Sequence, residues 1–389
     1  MSRINDLIKE LCPNGVEYKT LDNLVSISTG KLNANAMEED GQYAFFTCDA
    51  KPFRINTYAF DGEAILISGN GSQVGHLNYY VGKFNAYQRT YVLMDFIDDI
   101  VCKYLFHYLN AYLKKYIDLN SKKGSVPYIT LPMLTTFKVA IPPIEVQEEI
   151  VRILDKFGEL EAELEAELEA RQNQYEFWRG NIFELENRNY ESYELQEIFD
   201  MKNGYTPSTS NNDFWNNGTI PWFRMEDIRL NGGVLNDAIQ HITPMALKKS
   251  GPFKANSIIC ATSATIGVHA LIQCDFLSNQ RFTCLTLKDE YIKLIDMKYI
   301  YYYCFILDEY CKNNLNQGNF SSVDMNAFKR FEFKIPSLEI QKKIVNVLEH
   351  FDKLVNDISE GLPAEIEARR KQYEYYRNKL LSFEEVSCE

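Results

Sequence analysis

Metal and disulfide chemistry have little to work with in this sequence. None of its nine cysteines forms a C-x-x-C pair, and its five histidines, His76, His107, His241, His269 and His350, show no ligand spacing. That signals neither a zinc cluster nor a disulfide framework, so buried reduced thiols are expected and each histidine reads as an isolated core or surface residue. Long apolar runs are also scarce: the longest, Tyr299 to Leu307, is far too short for a membrane span. The start, MSRINDLIKELCP, is polar and lacks the apolar stretch of a signal peptide, so a soluble cytoplasmic chain without a membrane partner is expected. No G-x-x-x-x-G-K-[ST] loop exists to cradle phosphates, because the glycine-rich run Gly69-Asn70-Gly71-Ser72-Gln73-Val74-Gly75 lacks the lysine. An amino-methyltransferase holds its flipped base in an N-P-P-Y-like loop. Ile141-Pro142-Pro143-Ile144 lacks both the polar first residue and the stacking aromatic.

An excess of positive charge is missing as well, since the net charge is −13. Its distribution matters more than its sum. Residues 1–140 carry 14 basic and 14 acidic side chains, and residues 187–334 carry 15 and 16. Residues 141–186 carry 4 and 13, and residues 335–389 carry 8 and 11. The acid is concentrated in one segment while the larger parts are nearly neutral, so total charge does not exclude DNA as a partner.

What the chain does contain is a duplication. Its 389 residues, 46% hydrophobic and 13% aromatic, suffice for two or three domains with sizeable cores. The stretch from Ile141, IPPIEVQEEIVRILDKFGELEAELEAELEARQNQYEFWRG, recurs from Ile335 as IPSLEIQKKIVNVLEHFDKLVNDISEGLPAEIEARRKQYEYYRNKLLSF. Ile150, Leu154, Phe157 and Leu160 match Ile344, Leu348, Phe351 and Leu354. After four extra residues in the second copy, Arg171, Gln174, Tyr175, Glu176 and Arg179 match Arg369, Gln372, Tyr373, Glu374 and Arg377. Weaker landmarks repeat between the preceding parts. Leu21, Leu24 and Val25 before Gly30 match Leu195, Ile198 and Phe199 before Gly204. Ala64–Ile67 matches Ser257–Cys260, Gly75 matches Gly267, Gln88-Arg89 matches Gln280-Arg281, and Gly124 matches Gly318. Two homologous halves, each closed by a helical segment, are therefore expected.

Local patterns predict strands at Tyr43–Cys48, Ala64–Ser68, Ile220–Met225 and Ser257–Ala261, and aromatic helices at Ile100–Leu119 and Ile295–Leu315. The repeated segment has coiled-coil spacing. Ile344, Leu348, Phe351, Val355, Ile358 and Leu362 alternate steps of four and three, and Arg369, Tyr373, Tyr376 and Leu380 resume the rhythm. In the first copy Leu160, Leu164 and Leu168 step by four before Tyr175, Trp178 and Ile182. A helix from Ile144 to Ile182 would be roughly 55 Å long. Neither stripe can be buried alone, so an antiparallel pair of the two copies is expected to join and separate the halves. A kink or break is expected near 361–363, where Gly361 and Pro363 oppose a helix.

The duplicated I-P-x-x-E-x-Q-x-x-I openings, Ile141–Ile150 and Ile335–Ile344, with the opening CPNGVEYKTL at Cys12–Leu21, resemble specificity subunits of type I restriction–modification enzymes over the full length of the chain. The resemblance implies an α+β, pseudo-twofold layout: a target-recognition domain at 1–140, a conserved helix at 141–186, a second target-recognition domain at 187–334 and a second conserved helix at 335–389. It implies that each variable half reads one part of a split target in double-stranded DNA. Two methylation subunits would dock on the assembly and restriction (motor-nuclease) subunits would join that core. It also implies that this polypeptide is not an enzyme itself. S-adenosylmethionine, ATP and Mg would belong to the partner subunits, with no cofactor in this chain. A non-enzymatic scaffold binding protein or glycan through duplicated domains is the alternative.

Polar loop residues are the candidates for DNA contact, because Arg or Lys reads guanine, Asn or Gln reads adenine, and lysines and hydroxyls hold phosphates. In the first half these are Lys31, Asn33, Asn70, Ser72, Gln73, Arg89, Lys122, Lys123, Ser125 and Tyr128. In the second they are Tyr205, Thr206, Ser208, Arg224, Thr262, Ser263, Thr265, Arg281, Asn319 and Ser321. Bland readings stand beside them: Lys122-Lys123 as a solvated loop, Gly69–Gly75 as a hairpin turn, and Trp215 and Trp222 as core. The pairs Gln88-Arg89 and Gln280-Arg281, shared by halves of different specificity, point to scaffold or phosphate duty. For partner subunits the candidates are Arg171, Tyr175, Arg179, Arg369, Tyr373 and Arg377, which serve equally well as internal helix packing.

Overall fold

In the computed structural model, residues 2–120, 128–184, 189–316, 321–357 and 359–386 are described. The chain divides into two compact units, one built from Met1–Glu165 and Glu365–Glu389, the other from Ala166–Ala364. The expected landmarks Gly124 and Gly318 lie outside the described residues.

In the first unit, α1 (Ser2–Leu11) leads into β1 (Glu17–Thr20), β2 (Ser26–Thr29), β3 (Tyr43–Phe46), β4 (Phe53–Ile55), β5 (Phe60–Ser68), β6 (Leu77–Ala86) and β7 (Thr90–Met94). Then come α2 (Cys102–Asn120), α3 (Leu131–Thr135), β8 (Lys138–Ile141) and the start of α4 (Ile144–Asn181). Six strands form one sheet in the order β2-β7-β5-β6-β3-β4, antiparallel except at β3 and β6, while β1 pairs with β8. The unbroken run Ala64-Ile65-Leu66-Ile67 follows from burial on both faces of β5. Ala64 and Leu66 pack with Phe46, Phe84 and Val92, whereas Ile65 and Ile67 face the cluster built on α2. That second cluster gathers Tyr104, Leu105 and Leu109 from α2, Leu21 and Leu24, and Ile150 and Leu154 from α4, together with Leu380 and Leu381 near the carboxyl end. The tail is stitched to β1: the Val16 N–H donates to Glu384 O, the Val386 N–H to Val16 O, and the Tyr18 hydroxyl to Phe383 O.

Within this unit α4 runs antiparallel to the last helix, Leu362–Leu380. Phe157 stacks on Tyr376 with ring centres 5.6 Å apart, and one turn further along α4 Arg370 reaches Glu161 at 2.6 Å and Glu165 at 2.5 Å.

The second unit repeats the plan with β9 (Tyr190–Glu194), α5 (Leu195–Ile198), β10 (Phe199–Asn203), β11 (Ile220–Phe223), α6 (Met225–Asn231), β12 (Val234–Leu235) and β13 (His241–Ile242). It continues through β14 (Ser257–Ala261), β15 (His269–Ile272), β16 (Leu277–Ser278), β17 (Phe282–Leu287), α7 (Met297–Asn313), α8 (Met325–Lys329), β18 (Glu332–Pro336) and α9 (Leu338–Asn356). β9 pairs with β18 as β1 does with β8, and β10-β17-β14 lie side by side as β2-β7-β5 do. On β14, Ile258 and Cys260 face one core while Ile259 and Ala261 face another, the same two-sided burial as on β5.

Two elements differ from the local patterns. The strand expected at Ile220–Met225 ends at Phe223, and Met225 opens α6, because Asp227 lies three residues into that turn. Its carboxylate accepts the N–H of Arg224 at 2.7 Å and of Ile239 at 2.7 Å. The second repeated segment is two helices, α9 and α10 (Leu362–Leu380). Between them Gly361 lies against the carbonyls of Lys353, Leu354 and Asp357, leaving no room for a Cβ. Pro363 then falls in the first turn of α10, where its missing N–H costs nothing.

Candidate nucleic-acid interface

In each unit four separate segments converge at one end of the main sheet, and the same backbone hydrogen bonds join them. In the first, the Gly30 N–H donates to Thr90 O, the Gly69 N–H to Arg89 O, and the Ile129 N–H to Gly69 O, while Asn70 and Tyr128 form a bridge. In the second, the Gly204 N–H donates to Phe282 O, the Thr262 N–H to Arg281 O, and the Val323 N–H to Thr262 O, while Ser263 and Ser322 form the bridge. The segments after β2 and β10, before β7 and β17, after β5 and β14, and before α3 and α8 are therefore equivalent. Gly30 and Gly204 permit the closest approaches, since a Cβ at Gly30 would meet the Ala86 carbonyl and one at Gly204 the carbonyls of Ser278 and Asn279.

These segments carry different side chains in the two units. Lys31, Asn33, Gln88 and Arg89 are exposed in the first, where the Gln88 amide donates to Asn33 Oδ1 at 3.1 Å. Half-buried Asn70 accepts the Cys48 thiol proton at 3.0 Å, and Tyr128 is largely open to solvent. Ser72 and Gln73 are exposed on the adjoining turn. In the second unit the Thr206 hydroxyl donates to Gln280 Oε1 at 2.5 Å, the counterpart of the Gln88–Asn33 contact. Thr262 and Thr283 share a hydrogen bond of 2.9 Å, Thr265 is half-buried, and Arg281 and Ser321 are exposed. Ala264, with φ of +65°, carries its turn through a conformation that costs a residue with a Cβ about 1 kcal/mol. Asn203, which accepts the Thr283 hydroxyl proton at 3.0 Å, and Cys48 join these clusters without any sequence signal beyond their neighbours.

Other candidates fall elsewhere. Lys122, Lys123, Ser125 and Asn319 lie outside the described residues. The Tyr205 ring is half-buried, covered by the Lys248 ammonium at 4.1 Å, and its hydroxyl donates to Ala246 O, so it packs rather than projects. Ser208 bonds Ser210 and accepts the Trp215 indole N–H. Arg224 adjoins the cluster, but its guanidinium is held by Glu226 at 3.0 Å and lies over Trp222. Trp222 itself is core.

On the long helices the repeated polar positions have matching contacts. Arg171 bonds Glu167 and Gln174, and Arg369 bonds Glu365 and Gln372. Arg179 lies over the Tyr175 ring as Arg377 lies over that of Tyr373. Tyr175, however, is only 5% exposed, stacks on Phe351 and donates to Asp352, and Tyr373 is half-buried against Phe157. Tyr175 therefore serves internal packing, while Tyr373 packs against Phe157 and stays partly exposed. Phe177 and Tyr375, each 61% exposed, lie off the heptad stripe, and Trp178, expected to help finish that stripe, is itself 41% exposed.

The described residues of the clusters contain donors and acceptors of the kind that read base edges. The two buried histidines serve the cores: His107 bonds Asp155 at 2.9 Å and His269 bonds Asp308 at 2.6 Å. Among the described residues every cysteine is free, burial raises the thiols of Cys12, Cys102, Cys304 and Cys311, and no group could hold a metal ion. Nor is any described helix long and apolar enough to cross a membrane.

A duplicated α+β fold, in which equivalent frames display divergent polar loops, defines a tandem recognition protein. The chain matches the type I restriction modification DNA specificity domain twice, at residues 13–170 and 187–368, and it belongs to that family. It is 48% identical over 202 residues to the EcoprrI specificity subunit of Escherichia coli, a match spanning 50% of each chain. Against the EcoR124I/EcoR124II specificity subunit of Escherichia coli it is 33% identical over 300 residues, covering 72% of this chain and 70% of that one. Its fold is similar to a chain from a structure on complex assembly and conformational transition of the type I R-M system, with TM-score 0.63, 13% identity, and 95% and 98% of the two chains covered. The HsdS subunit from Thermoanaerobacter tengcongensis gives TM-score 0.56 at 13% identity, covering 95% of this chain and 96% of that one.

Proposed function

We propose that this chain is the non-catalytic, sequence-specific DNA-binding subunit of a type I restriction–modification complex. The observation that carries the reading is the pair of equivalent loop clusters. A shared hydrogen-bonded frame presents Lys31, Asn33, Asn70 and Arg89 in one unit and Thr206, Thr262, Ser263 and Arg281 in the other. A frame kept while its side chains change is what two half-sites of different sequence require. Each cluster reads base edges with its amides and hydroxyls and holds phosphates with its arginines. Residues 1–140 and 187–334 are the reading parts, and the helices of 141–186 and 335–389 set the unspecified gap between the half-sites.

Two methylation subunits dock on the repeated helical positions, Arg171 with Arg179 and Arg369 with Arg377, and restriction subunits join them. Catalysis, with its S-adenosylmethionine, ATP and Mg, belongs to those partners, and the assembly works in the cytoplasm. Methylome sequencing of a host carrying the intact operon tests this reading. The expected motif has two specified parts around an unspecified gap, and one continuous motif overturns it. Duplex binding by the chain with a methylation subunit should weaken steeply with salt, as phosphate contacts demand. A scaffold for protein or glycan would show no such binding.

A further inference from the structure

The two units share one device that takes no part in base reading. Gln147, in the first turn of α4, has a side chain with no solvent exposure. Its Nε2 donates to the carbonyls of Pro142 at 2.7 Å and Asp99 at 2.8 Å, and its Oε1 accepts the Val101 N–H at 2.9 Å. Gln341, in the first turn of α9 and equally buried, repeats this bond for bond. Its Nε2 donates to Pro336 O at 2.8 Å and Leu294 O at 2.8 Å, and its Oε1 accepts the Asp296 N–H at 2.9 Å. Two carbonyls and one N–H can be satisfied by only one orientation of a primary amide, so the group is locked. Shape alone would not require it, because a leucine fills similar volume, but a leucine would leave three backbone groups, one of them buried, without this partner.

Each glutamine is backed by two further repeated contacts. The Tyr104 hydroxyl donates to Ala140 O at 2.9 Å and that of Tyr299 to Lys334 O at 2.6 Å. Lys103 pairs with Asp155 at 2.6 Å, and Lys298 pairs with Glu349 at 2.5 Å. Residues 147 and 155 are about 12 Å apart along a helix. Each helix, α4 or α9, is thus pinned at two heights to the start of its unit's aromatic helix, which fixes its direction.

We infer that Gln147 and Gln341 are positioning residues for gap length: each fixes the angle of its own helix, α4 or α9, against the rest of its unit, and so which spacing of half-sites is accepted. Leverage makes the angle matter. Helix α4 has 38 residues, about 57 Å, so a tilt of about 5° at its base moves the far end by about 5 Å. One base pair rises about 3.4 Å. The inference rests on the proposed reading of a split target.

The test is binding of the chain, assembled with its methylation subunits, to duplexes carrying both half-sites with the native gap or gaps one and two base pairs longer or shorter. The wild-type assembly should prefer one gap by about tenfold or more, the penalty expected for a half-site out of register. In Gln147→Leu and, separately, Gln341→Leu, that preference should fall severalfold while discrimination against base changes inside each half-site is retained. Leu66→Ala, in a core cluster that does not include the joint, controls for lost stability and should lower binding evenly at all gaps. Should Gln147→Leu fail to fold, Tyr104→Phe and Gln341→Leu carry the same test. A glutamine variant that keeps the wild-type gap profile overturns the joint alone. A wild-type assembly indifferent to gap overturns the proposed function, and the joint with it.

Discussion

Arg89 and Arg281 hold the same place in the two frames: each backbone carbonyl accepts a bond from the loop that follows β5 or β14, and each side chain is exposed. A phosphate-holding arginine contributes to affinity for every sequence, so Arg89→Ala and Arg281→Ala should each flatten the slope of log affinity against log salt by about 1, leaving the preferred bases unchanged. Asn33, bonded by Gln88, is the opposite case. If it reads an adenine, Asn33→Ala should relax one position of one half-site, visible as a single degenerate column in a selection from random duplexes. A third residue-scale effect concerns acid. Burial lowers the pKa of His107, opposed by its bond to Asp155, while Lys103 and Arg377 lower it further. Burial raises that of Asp155, but hydrogen bonds from Lys103 and His107 bring it below the ordinary value. Both groups are thus depressed in the folded state, and both contribute stability that is full above their unfolded values and lost as pH falls. The first unit should begin to lose stability below pH about 6.5, with a further loss below about 3.9. Thermal melts of wild type and His107→Gln should diverge in the upper window and not above it.

At the scale of elements, Leu154 on α4 and Leu348 on α9 are equivalent and fully buried, so Leu154→Ala and Leu348→Ala should each cost about 3 kcal/mol, measured by denaturant titration. Much of this scale was legible in the sequence. Period-four leucines marked α4, a doubly apolar run marked β5 and β14, and Gly361 with Pro363 marked the end of one helix and the start of another. The partners of these elements were not legible. Nothing in YKTL announces that β1 pairs with β8, because strand pairing depends on contacts far apart in sequence. The motif glutamines also read as ordinary polar residues of a helix start, since three bonds to backbone leave no trace in side-chain pattern. Tyr175 shows the converse limit. Its recurrence as Tyr373 suited a docking surface and a packed seam equally, and only the position of Phe351 and Asp352 places its ring in the core.

For the molecule as a whole, the division into units does not follow chain order. The first unit takes residues from both ends, so Val16 pairs with Glu384 and Val386, and Leu380 and Leu381 complete a core begun by Ile4. The acidic α4 is balanced locally by Arg370, which bridges Glu161 and Glu165 from the last helix. Ending the chain at residue 381 would remove the backbone bonds to Val16 and the Tyr18–Phe383 contact but leave every core residue of the second unit. Calorimetry should then show one transition moving down by several degrees and one unchanged, since each kcal/mol lost shifts a unit of this size by about 2–4 °C. Ending it at residue 361 would also remove Leu380, Leu381 and the Phe157 seam, and the first transition should disappear. If both transitions shifted together in the shorter change, the two units would be a single cooperative body. If the first unit reads one half-site as proposed, recognition of that half-site should fail before the other as the chain is shortened, which binding to duplexes mutated in one half-site at a time would reveal.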